Sequence, residues 1–443
     1  MRQFAIGCVL RYLRFFARSA LFIHRPLVFG IAGSVGKTST KHALYAILKE
    51  AGRTVMTKGN SETGVPLGIL GIAIEGYRPI DWLMAVLRAP FGIFNLVGVK
   101  YLIVEMGIDD PYPPKNMEYL LSIVAPDIGV FVVESAAHTE QFEKTLTAEE
   151  KKLSASERRD LLVRRITEED MKMAREPRCH TVIYNAENTY LKKETSRLQG
   201  KLLLPFGMGR GNALFYDEHE ITLGHSRFSF RTASEHASVT IRGHALPREY
   251  REVFGAAILA AREAKVSLQT INHALENNLV LPKGRSTLLS GVNGSVIIDS
   301  SYNASKASVL AFLDMVFHLK QKTGRPVVLC LGDMRELGEE AAIEHQAVAE
   351  RIPGIAEYVY CVGSLTQQYI IPALQTAVLQ DLRWFQSSPE LGQYLRDTMP
   401  EEALVLVKGS QNTIFLEEAV KYILADKADE KKLCRQEGYW VKK

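Results

Sequence analysis

The stretch Gly33-Ser34-Val35-Gly36-Lys37-Thr38-Ser39 decides how the chain is read. It follows the apolar run Leu27-Val28-Phe29-Gly30-Ile31-Ala32 and precedes a helical pattern that carries Ala43, Leu44, Ala46, Ile47 and Leu48. The order is strand, glycine turn, helix. Such a turn aims backbone N–H groups and a helix N-terminus at one point, which suits a phosphate. Gly33 through Ser39 are therefore candidate nucleotide-binding residues. Lys37 would reach the outer phosphates as a point charge, and the Thr38 hydroxyl would sit on Mg²⁺. The strict phosphate-loop pattern has a glycine where Ile31 stands, so the shorter form G-x-x-G-K-T is what remains.

Outward from this loop, 443 residues are too many for one ordinary core and imply two or three domains. A composition 47% apolar and 23% charged is that of a soluble globular protein, and a net charge of +4 is too small to argue for nucleic acid. Five scattered cysteines, with no C-x-x-C pair, fit a reducing compartment without structural zinc. No acidic residue precedes Glu50. Phe4, Ile6, Val9, Leu10, Leu13, Phe15, Phe16, Leu21 and Phe22 are interleaved with Arg11, Arg14, Arg18 and Arg25. The arginines interrupt the apolar run too often for a spanning helix or a cleaved signal. Two readings stand for residues 1–25: an amphipathic helix lying on an anionic membrane surface, or a helix packed on the protein's own body with its arginines in water.

From residue 27 to about 280 the pattern alternates strands and helices. Tyr101–Val104 and Ile128–Val133 are continuous apolar runs, as buried parallel strands should be. Residues 200–243 are strand-rich and read as a small antiparallel portion. Leu281-Pro282-Lys283-Gly284 breaks the pattern. A second α/β unit follows, with strands expected at 295–299, 327–331, 358–362 and 403–407. The expected organisation is a basic segment 1–26, a phosphate-loop domain 27–282 with a mostly parallel sheet, a C-terminal Rossmann-like α/β domain 283–430, and a charged tail 431–443.

Glu105 ends a buried strand in the domain of the phosphate loop, where open α/β sheets place ligands, and can hold Mg²⁺ beside Thr38. Glu134 and His138 follow another strand end; spacing alone gives His138 little weight. In the second unit, Asp299-Ser300-Ser301-Tyr302-Asn303-Ala304-Ser305, Gly332-Asp333-Met334-Arg335-Glu336-Leu337-Gly338 and Lys408-Gly409-Ser410 are polar loops at strand ends. Each alone is also compatible with turn and cap chemistry.

Taken in order, these residues resemble the Mur ligase family of ATP-dependent amide-forming enzymes of cell-wall precursor synthesis. The resemblance rests on the phosphate loop, on Asn60 through Gly64-Val65-Pro66-Leu67, on Val104-Glu105-Met106-Gly107, and on Ala125-Pro126-Asp127-Ile128 with Ala137-His138. It continues through Tyr184-Asn185-Ala186-Glu187-Asn188, Asp299–Ala304 and Lys408-Gly409-Ser410. The segment from Gly332 to Gly338, with His345 beyond it, most resembles the member that adds D-alanyl-D-alanine to a UDP-muramoyl-tripeptide. The resemblance implies ATP and Mg²⁺ as cofactors, and an acyl phosphate formed from a peptide carboxylate and then attacked by an amine. The implied partners are a peptide-bearing cell-wall precursor and an amino-acid or dipeptide acceptor, in the cytoplasm or at the inner face of the membrane. It also implies Lys37, Glu105 and His138 as catalytic residues, with Thr38, Glu105 and His138 as metal partners. Arg285 and Asn303 fall on the ATP side, and Asp299, Tyr302, Asp333 and Lys408 are further candidates. A cleft between domains would hold the two reactants in line.

Three departures from the family pattern shape the expectations. Only residues 1–26 precede the first strand, so a separate UDP-sugar-binding domain is not expected, and a lipid-linked or otherwise different peptide carrier becomes the alternative donor. The family's carbamylated lysine maps to Lys152 when counted from His138, but Asp170 takes its place when aligned from Asn185; an Asp170 carboxylate would stand in for the carbamate charge. Gln411 stands where relatives have an arginine after Lys-Gly-Ser. The competing functional readings are a folylpolyglutamate-synthetase-like ligase, a P-loop NTPase switch, and a degenerate scaffold.

Overall fold

The computed structural model describes residues 2–74, 78–134, 139–335, 337–410 and 413–436. His138, Glu336 and Gln411 lie outside them. The chain divides into two compact units: one of residues 1–218, 229–239 and 251–280, the other of 219–228, 240–250 and 281–443.

The larger sheet contains β1 (Leu27–Ala32), β2 (Thr54–Met56), β3 (Tyr101–Glu105), β4 (Ile128–Phe131), β5 (Thr181–Asn185), β6 (Leu202–Gly207), β7 (Leu214–Ile221), β8 (His225–Arg231) and β9 (His236–Arg242). Its order is β2-β3-β1-β4-β5-β6-β7-β8-β9, and each adjacent pair from β2 to β7 in that order is parallel. β3 and β4 are buried along their whole length, which is why they read as unbroken apolar runs. The expected antiparallel portion at 200–243 does not begin where expected: β6 pairs parallel with β5, and β7 parallel with β6.

β1 lies between β3 and β4, and the chain leaves it first toward one side and then the other. This is the switch point at which a doubly wound sheet opens a crevice at its strand ends. The registers set what lines it. Ile31 pairs with Glu105, and Ala32 with Phe131, so the turn after β1, the last residue of β3 and the segment after β4 lie side by side.

The N-terminal segment is one helix, α1 (Arg2–His24). Leu10, Leu13, Ala17, Ala20 and Leu21 are buried, and Leu13 through Leu21 join the first unit's core. α1 is thus packed on the protein's own body. Two of its arginines are spent there: Arg14 donates to Ser122 Oγ at 3.0 Å and stacks on Tyr119, and Arg18 donates to the Ser122 carbonyl at 2.9 Å. Among the described residues no helix is long and apolar enough to cross a membrane.

The second unit holds a six-stranded sheet of β10 (Thr287–Ser290), β11 (Val296–Ser300), β12 (Val327–Gly332), β13 (Tyr358–Val362), β14 (Asp381–Phe385) and β15 (Leu404–Lys408), in the order β10-β11-β15-β12-β13-β14. Only the β10–β11 pairing is antiparallel. The sequence reading lacks β10 and β14. Both are edge strands, so neither needs the continuous apolar run that marks a buried one; Asp381-Leu-Arg-Trp-Phe is mostly half-exposed. The tail expected from residue 431 is anchored in its described part. Leu433 and Cys434 are buried, and Arg435 forms a bidentate ion pair with buried Glu417 while donating to the Ser301 and Tyr302 carbonyls.

Candidate active site

The phosphate loop joins β1 to α2 (Lys37–Ala51). Gly33 and Gly36 have φ of 126° and 90°, a region that L side chains rarely adopt. Space forbids a side chain as well: a Cβ on Gly33 would lie 3.0 Å from the Val133 carbonyl oxygen, and one on Gly36 would lie 3.0 Å from Val132 Cγ1. The loop is tied to the segment after β4, because the Ser34 N–H donates to the Val133 carbonyl at 2.7 Å. No side chain caps the N-terminus of α2. The Lys37 ammonium folds back onto the Gly33 carbonyl, over the loop it would serve.

Glu105 receives the loop's chemistry from the neighbouring strand. Thr38 Oγ1 donates to Glu105 Oε1 at 3.0 Å, and Lys41 Nζ lies 2.7 Å from Glu105 Oε2. Asn60 Nδ2 approaches Oε1 at 3.4 Å, and the Gly107 N–H bonds the Asn60 carbonyl, so two of the sequence motifs meet here. Burial alone would push the Glu105 carboxyl up. The charges of Lys41 and Lys37, with hydrogen bonds from Lys41 and Thr38, more than reverse this and hold it below the usual carboxylate range. Lys41 is the residue that sequence reading missed. Its signal was a lysine four residues after Lys37 in a helix whose other inward positions are small or apolar.

A second acidic group flanks the loop. Glu134 accepts from Ser34 Oγ at 3.2 Å, and Asn188 Nδ2 holds the Glu134 carbonyl at 2.8 Å, which gives the Asn185–Asn188 motif a structural role. Asp170, at the end of the helix Ala155–Asp170, hydrogen-bonds Glu134, and both are buried. Burial raises both carboxyls; for Asp170 the Glu134 charge adds to it, and the Lys37 charge opposes it in each. Among the described residues, Glu134 Oε1 and Asp170 Oδ1 are buried without a hydrogen-bond partner. Lys152 is exposed on the turn Glu150–Lys152. The structure thus gathers Lys37, Thr38, Glu105, Glu134 and Asp170 around the loop and leaves Lys152 at the surface.

In the second unit, register places Lys408 of β15 beside Ser300 of β11 and Leu331 of β12. Lys408 is buried. It donates to the Asn303 carbonyl at 3.0 Å, approaches Ser300 Oγ at 3.4 Å and sits 4.7 Å from the Phe312 ring centre. Burial, and then the Arg285 charge, lower its pKa to about 7. Asp299 accepts the Ser301 N–H, keeps Oδ2 unpartnered, and is raised by burial to about 6. Arg285 stacks on Tyr302 at 4.9 Å. Asp333 accepts the Thr366 N–H at 2.8 Å, and its carbonyl takes the Ser410 N–H at 3.0 Å. Arg285, Asp299, Tyr302, Asn303 and Lys408 therefore form one cluster at the carboxyl ends of the sheet, with Asp333 just past the end of β12, the strand beside β15. His345 is structural: its Nε2 accepts the Met334 N–H at 3.0 Å, and burial lowers its pKa.

A model of the Mur ligase middle domain matches residues 31–249, and one of the Mur ligase glutamate ligase domain matches residues 284–411. The chain belongs to the Mur ligase family. The UDP-N-acetylmuramoyl-tripeptide--D-alanyl-D-alanine ligase of Synechocystis sp. is 25% identical over 406 residues, 90% of this Mur ligase and 75% of that protein. Among solved structures, MurF ligase from Thermotoga maritima in complex with ADP shares the fold with a TM-score of 0.73 and 21% identity, covering 95% of this chain and 84% of that one. Folylpolyglutamate synthase of the same organism covers 100% of both chains with a TM-score of 0.58 and 15% identity. In this family member the phosphate loop and Glu105 lie in the part matched by the middle-domain model, and the Lys408 cluster lies in the part matched by the C-terminal one.

Proposed function

We propose that this Mur ligase uses ATP and Mg²⁺ to join a carboxylate of a peptide-bearing cell-wall precursor to an amine, D-alanyl-D-alanine or a similar dipeptide or amino acid. The observation that carries the reading is the meeting of Lys37, Thr38 and Glu105 at the switch point of the first unit's sheet. The choice of substrates rests on the relatives' activity.

The residues fit both groups. The glycine turn, which a Cβ would fill, leaves backbone N–H groups and a bare helix N-terminus for the phosphates. A hydroxyl and a carboxylate oxygen at Thr38 and Glu105, with buried unpartnered oxygens on Glu134 and Asp170, are the hard donors that suit Mg²⁺. When bound, the metal would neutralise charge on the transferring phosphoryl group.

Lys37 would stabilise the γ-phosphoryl as the substrate carboxylate oxygen bonds phosphorus and ADP departs. The amine nitrogen then bonds the carbonyl carbon, phosphate leaves, and the amine gives up a proton. Asp170, hydrogen-bonded to Glu134 and within reach of the Lys37 charge, is the candidate to supply the negative charge of a carbamylated lysine. His138 remains a proposed metal partner by resemblance. Lys408, Asp299, Arg285, Tyr302 and Asn303 are proposed to hold the nucleotide or acceptor side. Residues 1–25 are proposed to touch the cytoplasmic face of the membrane.

The test is phosphate release from ATP over amino acids and dipeptides, with UDP-linked, lipid-linked and folate-type donors. Release that needs D-alanyl-D-alanine and a muramoyl-peptide donor is expected. Lys37→Ala should abolish it, and retained turnover would exclude the phosphate-loop assignment. Turnover with folate-type donors alone would replace the substrate reading.

A further inference from the structure

α1 packs against α3 (Gly64–Ile69), α4 (Pro79–Gly92) and the short turn Ile93–Leu96 that follows it. α4 buries only Ala85 and Ala89 on its inward side, and both lie in the same core as Ala17 and Ala20 of α1. Its outward stripe is Ile80, Leu83, Met84, Leu87 and Phe91, at helical spacing, and Phe94 continues it. These are not marginal exposures: Leu87 is 57% exposed, Phe94 67% and Phe91 75%. On α1, Phe15 and Phe22 lie seven residues apart on one outward stripe, 63% and 73% exposed. Two neighbouring helices therefore each turn a row of large apolar side chains to solvent, which a soluble protein seldom tolerates without a use for it.

The exposed charge on the described residues of these two helices is mostly basic. Arg11 is exposed on the same stripe of α1 as Phe15 and Phe22, Arg25 is exposed just past the end of that helix, and Arg88 is exposed on α4. The one acidic residue of α4, Asp81, is held by Arg78 through paired hydrogen bonds at the helix start. Apolar side chains centred on aromatic rings, accompanied by arginine on both helices, match the headgroup–acyl boundary of an anionic bilayer.

We propose that α1 and α4 together form a membrane-docking platform whose occupant is an anionic lipid surface. The platform rests on the reading given above for residues 1–25 and adds the second helix. The ligase chemistry does not depend on it. A platform of this kind would hold the enzyme beside a lipid-linked donor.

The experiment is flotation of the full-length protein with vesicles of phosphatidylcholine plus phosphatidylglycerol, and of phosphatidylcholine alone. Binding to the anionic vesicles should exceed binding to the neutral ones by about tenfold or more. Leu87→Ser/Phe91→Ser in α4 and Phe15→Ser/Phe22→Ser in α1 should each abolish most of it. Arg11→Glu/Arg88→Glu should remove the preference for anionic lipid. All three replace exposed side chains, and an unchanged melting temperature checks that they fold. Loss in the α1 variant alone would overturn the platform and leave the N-terminal helix as sole contact. Binding unaffected by either pair would overturn both. Equal binding to neutral vesicles would overturn the anionic occupant. A dimer in light scattering that Leu87→Ser/Phe91→Ser dissociates, with no vesicle binding, would give the face to a second copy of the chain and overturn the proposal.

Discussion

Lys41 Nζ lies 2.7 Å from Glu105 Oε2, and both side chains are almost fully buried. The pair joins α2 to the end of β3, and the other carboxylate oxygen takes the Thr38 hydroxyl. A buried ion pair adds little stability over an apolar pair, but removing one partner leaves an uncompensated charge in the core. Lys41→Met should therefore cost about 3–5 kcal/mol. Lys41→Met/Glu105→Leu should recover most of that loss while remaining inactive. The pH dependence separates the cause. In the wild type, Glu105 has its folded pKa below the ordinary glutamate value of 4.5, so its contribution is present above that pH and is lost as pH falls through the folded value. In Lys41→Met the shift should reverse, making the variant's deficit smaller at pH 5 than at pH 8. Urea melts at the two pH values check this, and an equal deficit at both would show that Lys41 acts through packing alone.

The Glu134–Asp170 pair makes the opposite kind of prediction. Both folded pKa values are raised, by burial first. The unfolded chain releases these protons at lower pH than the folded one does, so the pair destabilises the fold increasingly as pH rises above the ordinary carboxylate range. Asp170→Asn removes one of the charges. The ligand-free variant should melt higher than the wild type at pH 8, with the difference shrinking toward pH 4. If Asp170 supplies the negative charge proposed for it, the same variant should lose turnover in the phosphate-release assay. A variant that is more stable and equally active would leave Asp170 a core residue only.

These two pairs also show what the sequence could and could not disclose. The phosphate loop was legible because its signal is local: glycines whose left-handed φ the turn requires, between an apolar strand and a helix. Glu105 was legible as the last residue of a buried run. Lys41 was not, because its partner is set by the register of β1 on β3, which no spacing along the chain encodes. Asp170 was located only by counting along a family pattern, since the helix that carries it is mostly charged and the burial of its last turn comes from tertiary packing. The N-terminal helix was legible as amphipathic. Which arginines it keeps for solvent was not, because Ser122, the group that takes Arg14 and Arg18, is distant in sequence. The anchoring of Arg435 on Glu417 was hidden for the same reason, as a charged C-terminal segment looks loose until its partner is known.

Lys408 carries the last prediction. Its ammonium is buried at the end of β15 against Phe312, with the Asn303 carbonyl as its good hydrogen-bond acceptor. Burial first, and the Arg285 charge second, bring its pKa from the ordinary lysine value of 10.5 to about 7, although Asp299 pulls the other way. The folded pKa is thus below the unfolded one. Between pH 7 and 10.5 the unfolded chain binds the proton that the folded chain has released, so stability rises with pH across that window. The slope from one such group approaches about 1.4 kcal/mol per pH unit at its steepest. Lys408→Met cannot titrate. Its unfolding free energy should exceed that of the wild type at pH 7, and the excess should decline as pH rises toward 10. Other groups titrate in this range too, so the quantity to measure is the difference between the two proteins at each pH, by urea melts in matched buffers. A difference that stays constant from pH 7 to pH 10 would mean that the folded Lys408 keeps its proton just as the unfolded chain does, and that its buried charge is compensated by something other than proton release.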